Sequence, residues 1–481
     1  MVQVVGVGLA AGQGVRLRPL SLKASGYIRA KAAVRFLGER IVTWIFRTLQ
    51  AQGLEQVLMI TRGKANRGQV KSVIGYGENF GMRLRYSSFA HEGDDTGSAG
   101  ALFDNLQDIE DGESPLFVFP TDSLFEFDLA AMIEAHHRHH AAVTIAAAEY
   151  PTEVIAGQYG LIDCEAAGRV RGFLEKPSLA QISAYFGATD YRRNLPHHPT
   201  NTGCYLMDPA MLREISRHPA MRQRSNTALD IGGDLLPWLV RHQYPVYCHR
   251  IQRMGDLGNI GAYLQTMAQV MNGAFPSVTP YLTALPRTRE RLYIDPTSWE
   301  MIDPISRLTL RQKVACGMVT IQAPVRIGKY VRIDPGVMLE ACNIDDECVI
   351  HAHASITRAS IGEGSIVGPY SQVSDSVLGM MVRMQSTLLQ PVVLADIAAI
   401  GDEVSIEAGV VIAGRISVNP RLTLPRNIRL TSPMEVTSAA DLQTAIARDQ
   451  SRLPLSFPTK MAHGDAHWDW DSLVNATFHD M

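Results

Sequence analysis

Short β-branched apolar runs recur through the first half of the chain: VQVVGVGLA from Val2, QVLMITR from Gln56, LFVFPTD from Leu116 and AVTIAAAE from Ala142. Runs of this kind suit strands buried on both faces. Between them, ERIVTWIFRTLQAQG from Glu39 and DLAAMIEAHHRHH from Asp128 space their apolar residues as helices do. The alternation predicts βαβ units over residues 1–271, an α/β domain whose mixed, mostly parallel sheet has helices on both faces.

From 272 to 322 this texture stops. FPSVTPYLTALPRTR, from Phe275, holds three prolines and no sustained period, which predicts a linker segment. Beyond it the chain repeats itself. Aliphatic residues fall at Ile327, Ile333 and Leu339, then Ile344, Ile350 and Ile356, then Ile361, Val367 and Val373, in steps of six, six and five that sum to 17. The next round starts at Leu378 and Met384, Gln390 breaks the third row, and the rhythm returns at Ile400, Ile406 and Ile412. A short repeat of this kind predicts a parallel β-helix of hexapeptide repeats over 323–425, with each aliphatic residue pointing inward and stacking on the next coil. An open solenoid end needs covering, so a homo-oligomer is expected. Residues 426–481 lose the repeat, and SAADLQTAIARDQ from Ser438 predicts one helix before a polar, aromatic tail.

Composition narrows the functional classes. With 481 residues the chain can bury two ordinary cores. Its formal net charge of −3 gives no reason to expect a nucleic-acid or anionic-membrane partner. Six cysteines without a CxxC pair point to reduced thiols rather than a disulfide framework or zinc site. There is no basic residue before Arg16 and no apolar run near the ~20 residues of a membrane span, so a cytoplasmic protein is expected.

The densest chemical signal is LAAGQGVRLRPLS, from Leu9 to Ser21, directly after the first strand-like run. Glycines such as Gly12 and Gly14 let loop N–H groups approach phosphate oxygens, and Arg16 adds a fork of donors. A plain strand-to-helix turn would not need Arg16, Leu17, Pro19 and Leu20 together. The spacing matches neither the dinucleotide fingerprint nor the Walker loop.

GxGxRLxPL after a first strand resembles the sugar-1-phosphate nucleotidyltransferases, the nucleotide-sugar pyrophosphorylases. The resemblance continues through IRAKAAV at 28–34, DTGSAGAL at 95–102, FPTDSLFEFDL at 119–129, QYGLID at 158–163, FLEKP at 173–177, NTGCYLMDPAML at 201–212 and MGDLGNIGAYLQ at 254–265. It implies a Rossmann-like catalytic domain followed by a left-handed β-helix. The activity implied is transfer of a nucleotidyl group from a nucleoside triphosphate to a sugar 1-phosphate, with release of pyrophosphate. By the same resemblance, Leu9, Ala10, Gly12, Gly14, Arg16, Gly97 and Ser98 surround the nucleotide, and Lys31 approaches the α-phosphate. Gly160, Glu175, Lys176 and Asn201 take the sugar phosphate, while Asp122 and Asp256 hold Mg2+. Arg16, Lys31, Asp122 and Lys176 form the catalytic set.

Those residue types suit the reaction. Two highly charged anions must meet in line, which calls for cations and a carboxylate-held metal rather than a nucleophilic side chain. Duller readings accompany each residue. Asp122 and Asp256 could be helix N-caps, Lys176 a solvated loop lysine, and the HHRHH run at 136–140 a solvated helix end rather than a metal site. His351 and His353 raise acyl transfer as a further activity, since some β-helix domains use a catalytic histidine. Four positions depart from the family pattern: Val15, Ala32, Thr121 and Met254 replace a threonine, a proline, a glycine and a tryptophan. Thr121 would put a side chain where backbone approaches the nucleotide. These departures keep a second reading open, a catalytically weak or inactive nucleotide-sugar-binding regulatory subunit. RAKAAV leans toward ADP-glucose enzymes, and GYGENFGMRLRYS with GSAGAL toward mannose-1-phosphate guanylyltransferases, so a glucose or mannose 1-phosphate is expected with the base open.

Overall fold

The computed structural model describes residues 4–10, 12, 14–23, 25, 28–87, 96–109, 114–187, 197–224, 228–282 and 291–450. Ala11 and Gln13 of the glycine loop, Asp95, and the tail after Gln450 lie outside the described residues.

In chain order, the first domain sets out β1 (Val5–Ala10), α1 (Ile41–Ala51), β2 (Gln56–Thr61), α2 (Gly63–Ile74), β3 (Arg83–Tyr86) and α3 (Gly97–Asp104). Then come β4 (Leu116–Pro120), β5 (Ser123–Glu126), α4 (Leu129–Arg138), β6 (Val143–Pro151), β7 (Leu161–Cys164), β8 (Val170–Leu174) and β9 (His197–Met207). The domain closes with α5 (Pro209–Arg217), β10 (Val246–Arg250), β11 (Arg253–Asp256) and α6 (Ile260–Met271).

Strands β3, β2, β1 and β4 run parallel side by side. The long β9 lies antiparallel to β4 and β6, β10 pairs parallel with β6, and the β7–β8 hairpin joins through β7. Strand alternation then assigns each side chain to one of two cores. Val57, Met59, Phe117, Phe119 and Leu206 pack with α1, α2, α4 and α6 on one face. Leu58, Ile60, Val118, Ile145 and Tyr205 pack with α3 and α5 on the other. The mixed sheet with helices on both faces is therefore as the pattern predicts.

The repeat region forms three stacks of short parallel strands, a parallel β-helix. Its register follows the aliphatic rows: Ile327 pairs with Ile344, Ile344 with Ile361 and Ile361 with Leu378. The break at Gln390 is an insertion. Leu378 pairs with Ile400, 22 positions on, and the third row resumes at Leu394 opposite Val373. The extra residues bulge outward, with Leu388 65% and Leu389 91% exposed. After the insertion the period is 18, from Ile400 to Val418 to Val436.

The stack also reaches further than 323–425. Leu292–Ile294, within the expected linker, pairs with Val325–Ile327, and Met434–Val436 closes the other end. Helix Pro296–Glu300 and helix Leu310–Ala315 sit beside the first coil, where Lys313 is buried against Asp303 at 2.6 Å.

The β-helix docks on the first domain through charge as well as apolar contact. Val377 and Ala399 of the coil join the core that lies under α1 and α6. Arg29 reaches Asp402 at 2.5 Å with both side chains almost fully buried, and Arg35 pairs with Glu363. Arg326 donates to Asn343 and Asp345, both at 2.8 Å, under Gly38, where any side chain would strike its guanidinium. Arg40 stands among these cations, and burial followed by Arg35 and Arg29 holds its basicity below the ordinary value.

Two substitutions test this architecture. Ile361→Ala empties a fully buried position and is expected to cost about 2–5 kcal/mol in denaturant unfolding. Leu389→Ala, on the exposed bulge, should stay within about 0.5 kcal/mol. Equal costs would be incompatible with the stacked rows described above. Arg29→Ala leaves Asp402 buried without its cation and is expected to cost about 3–5 kcal/mol.

Candidate functional site

Parallel strands in an open sheet deliver their C-terminal ends to one edge, and loops leaving that edge can share a crevice. Leu9 and Ala10 end β1 there, with Leu9 paired to Ile60 and Pro120. Gly14 turns the following loop with φ +63°, a conformation a side chain resists. A Cβ at Gly14 would lie 3.3 Å from the Cβ of Lys31, so the glycine loop and the second motif are packed together. Lys31 opens a single helical turn, is nearly buried, and its Nζ donates to Asp122 Oδ2 at 2.6 Å. Gly12 and Arg16 are exposed, and Arg16 lies close enough to Tyr159 to favour its ionised form.

Asp122 follows β4 and precedes β5. That strand leaves the main sheet to form an antiparallel ribbon with β11, and Asp256 pairs with Ser123. Two carboxylates 134 positions apart, 256 minus 122, thus stand at the same end of one ribbon. Neither caps a helix. Asp128 caps α4 and Asn259 caps α6, while Asp256 Oδ1 accepts from Gly258 N–H at 2.7 Å. Its Oδ2 accepts from the Tyr159 hydroxyl at 3.0 Å. Burial, then the Asp256 charge, pushes the Tyr159 phenol well above its ordinary range, so it stays a donor. Tyr150 stacks on Tyr159 with ring centres 5.6 Å apart and donates to the Met254 carbonyl at 2.9 Å.

A second group gathers at the β7–β8 hairpin. A Cβ on Gly160 would lie 2.8 Å from Glu175 Oε2 and 3.2 Å from Asn201 Cβ, so these three residues converge. Lys176 has φ +42° and a side chain 53% exposed, with Nζ 3.8 Å from Glu175 Oε1. Burial raises the Glu175 pKa; Lys176 opposes this and Asp230 adds to it. Gly97 and Ser98 start α3. A Cβ on Gly97 would fall 2.5 Å from the Leu229 carbonyl oxygen, and φ is +72°. The Ser98 hydroxyl donates to Asp230 Oδ1 at 3.2 Å and accepts from Ile231 N–H at 2.8 Å.

Three residues here escaped the sequence reading. Tyr159 sits inside the QYGLID motif, where only Gly160 was singled out. Asp230 and Gly232 lie in LDIGGD; a Cβ on Gly232 would meet Glu175 Oε2 at 2.7 Å, joining this loop to the hairpin group. The Gly-Gly pair was the available signal.

Other expectations need correction. Thr121 does not project toward the crevice: its hydroxyl is turned inward and donates to the Leu9 carbonyl at 3.0 Å. The HHRHH run is not uniformly solvated, because His136 is buried with Nδ1 2.9 Å from Thr144 Oγ1, and burial lowers its pKa to about 4. His351 stands against Asp334 at 2.9 Å, and His353 stacks on Tyr370.

The donor set suits a hard divalent cation. Asp122 and Asp256 offer only oxygen, and no group of three or more His, Cys, Asp or Glu able to hold a metal occurs among the described residues. Two carboxylates with substrate phosphates completing the coordination is the usual magnesium arrangement. Among the described residues no helix is long and apolar enough to cross a membrane.

Known proteins of similar sequence align over most of this chain. UTP–glucose-1-phosphate uridylyltransferase of Synechocystis sp. is 24% identical over 380 residues, 77% of this chain and 86% of its own length. Glucose-1-phosphate adenylyltransferase of Alteromonas mediterranea is 24% identical over 415 residues, covering 79% of this chain and 90% of its own. Mannose-1-phosphate guanylyltransferase 1 of Arabidopsis thaliana is 24% identical over 414 residues, with 84% and 94% covered. The family model described as nucleotidyl transferase matches residues 5–273, the domain that carries the glycine turn and both aspartates, and the chain belongs to that family.

Proposed function

We propose that this enzyme joins a nucleoside triphosphate to a glucose- or mannose-type sugar 1-phosphate, giving a nucleotide sugar and pyrophosphate in a magnesium-dependent reaction. One observation carries the reading: the β5–β11 ribbon sets Asp256 beside the residue following Asp122, with Lys31 on Asp122 and Gly14 against Lys31. Relatives named for glucose and mannose 1-phosphates support the sugar class. Three nucleobases are spread over those relatives at equal identity, so base choice rests on pocket contacts rather than overall likeness.

In this mechanism the glycine turn and the start of α3 border the nucleotide, while Gly160, Glu175 and Asn201 border the sugar. The sugar-phosphate oxygen attacks the α-phosphorus in line with departing pyrophosphate. Arg16 and Lys31 offset charge on the triphosphate, and Lys176, on an exposed turn, meets the incoming phosphate. Asp122 and Asp256 would hold magnesium, whose charge lowers repulsion between the two anions. Tyr159 keeps Asp256 oriented, so the chain's contribution is mainly position and electrostatics.

The decisive experiment incubates purified protein and Mg2+ with ATP, GTP, UTP or dTTP against glucose 1-phosphate and mannose 1-phosphate, reading pyrophosphate release. At least one combination should turn over. Silence across the panel with nucleotide sugar still bound would overturn the enzymatic reading and favour a binding subunit. Asp122→Asn and Asp256→Asn should each lower kcat/KM by about 100-fold or more with unchanged circular dichroism. For Tyr159→Phe the expected loss is about 10–100-fold, partly restored by raising magnesium; an effect insensitive to magnesium would remove its role on Asp256.

Glu175 gives a pH signature. Its raised pKa means that the carboxylate, the form that accepts from a sugar hydroxyl, is lost as pH falls through a value above the ordinary glutamate range. The KM for sugar phosphate should therefore rise on that acid limb, and Glu175→Gln should abolish the limb. A limb that survives the substitution belongs to another group.

A further inference from the structure

Cys164 ends β7 and Cys248 lies within β10, 84 positions apart, yet their sulfurs are 3.1 Å from each other. The local fold enforces this meeting. The hairpin tip turns at Gly168, whose carbonyl accepts from Cys248 N–H at 2.8 Å, and Arg169 bridges to Tyr247 beside it. A side chain at Gly168 would press on the Cys248 carbonyl oxygen, so the tip sits directly on β10. Both thiols are partly exposed, whereas Cys204, Cys342 and Cys348 are buried and Cys316 stands exposed on the other domain.

We propose that Cys164 and Cys248 are a reversible oxidation site, closing to an intramolecular disulfide under hydrogen peroxide and reopening under a dithiol reductant. A disulfide needs about 2.05 Å between sulfurs, so the pair must close by only roughly 1 Å.

The two thiols are not equivalent. The Cys248 S–H donates to Cys164, and this bond, with the nearby Arg250 and Arg171 guanidiniums, lowers the Cys164 pKa against the opposing effect of burial. Cys248, the donor, is raised by that same bond and by burial. Cys164 is thus the thiolate that attacks peroxide: an S–O bond forms, the O–O bond breaks, and hydroxide leaves. Cys248 then attacks the Cys164 sulfenic sulfur, giving up its proton. The S–S bond forms, the S–O bond breaks, and water departs. Two thiols and one peroxide give one disulfide and two waters, a two-electron oxidation.

The position gives the bond a consequence. β7 begins one residue after Gly160, and β8 ends one residue before Glu175. β10 leads, two residues on, into the strand that ends at Asp256. The disulfide fastens the hairpin bearing the sugar-side residues to the strand entering the carboxylate pair. Peptide mapping decides the proposal independently of the activity assigned above.

Full-length protein is treated with peroxide, its remaining thiols are alkylated, and its peptides are mapped by mass spectrometry. One cross-linked species joining Cys164 to Cys248 is expected, reversed by dithiothreitol and absent from Cys164→Ser and Cys248→Ser. In Cys248→Ser and in Cys248→Ala, a sulfenic acid trapped by dimedone should accumulate on Cys164, and in Cys164→Ser none should appear on Cys248. Melting curves of the reduced variants matching the reduced parent verify that they are folded. If peroxide sufficient to oxidise Cys316 leaves both Cys164 and Cys248 alkylatable in the parent, the proposal is overturned. It is equally overturned if Cys164 over-oxidises in the parent without cross-linking.

Discussion

Four backbone pairings between Ser123–Glu126 and Arg253–Asp256 hold the candidate site together. This short ribbon stands apart from the large sheet, and Asp122 and Asp256 occupy its end. Because Asp256 pairs with Ser123, directly after Asp122, the ribbon's register fixes how the two aspartates are placed relative to each other. The register is locked from several directions. Leu124, Phe125 and Met254 are buried in the core under α1 and α6, Tyr150 grips the Met254 carbonyl, and Thr266 donates to the Asp256 carbonyl at 2.8 Å. Met254, which departs from the aromatic residue of the family pattern, therefore still serves as a buried anchor for the strand.

Around that ribbon, each carboxylate has a donor or cation beside it. Lys31 lies on Asp122, Tyr159 on Asp256, and Lys176 near Glu175. A carboxylate with one or two directed donors keeps its orientation while retaining lone pairs for a further cation. Thr121 shows the same economy of placement. Its hydroxyl fastens the end of β4 to the Leu9 carbonyl, so a residue expected to crowd the crevice instead ties two neighbouring strand ends together.

Much of the architecture was legible because it is periodic. The continuous apolar runs at β2 and β4 foretold strands buried on both faces, and the spacing of Ile327, Ile344 and Ile361 foretold a stack that the register reproduces. Lys31 meets Asp122 beside Gly14 because loops leaving the same end of neighbouring parallel strands lie close together whatever their separation in sequence. Contacts between distant segments carried no such mark. Nothing local to Tyr159 announces Asp256, nor does Cys164 announce Cys248, and Arg29 gives no sign of Asp402, 373 positions on. Insertions hide rows in the same way: Gln390 is only a break until Leu394 is seen to continue the stack. His136 was misjudged because a histidine-rich helix end looks polar, while one of its side chains faces the sheet.

The junction between the coil and the sheet domain joins them through shared buried residues and buried ion pairs. Arg29 is anchored in the coil by Asp402, and two residues later Lys31 is anchored beside the glycine turn by Asp122. A sheet domain cut free of its solenoid would carry Arg29, Arg35 and Arg40 as crowded neighbours stripped of Asp402, Glu363 and Asp345, next to apolar surface that Val377 and Ala399 now cover. Mutual repulsion among those guanidiniums would fall on the very turn that positions Lys31. The solenoid thus acts as counter-charge for its neighbour.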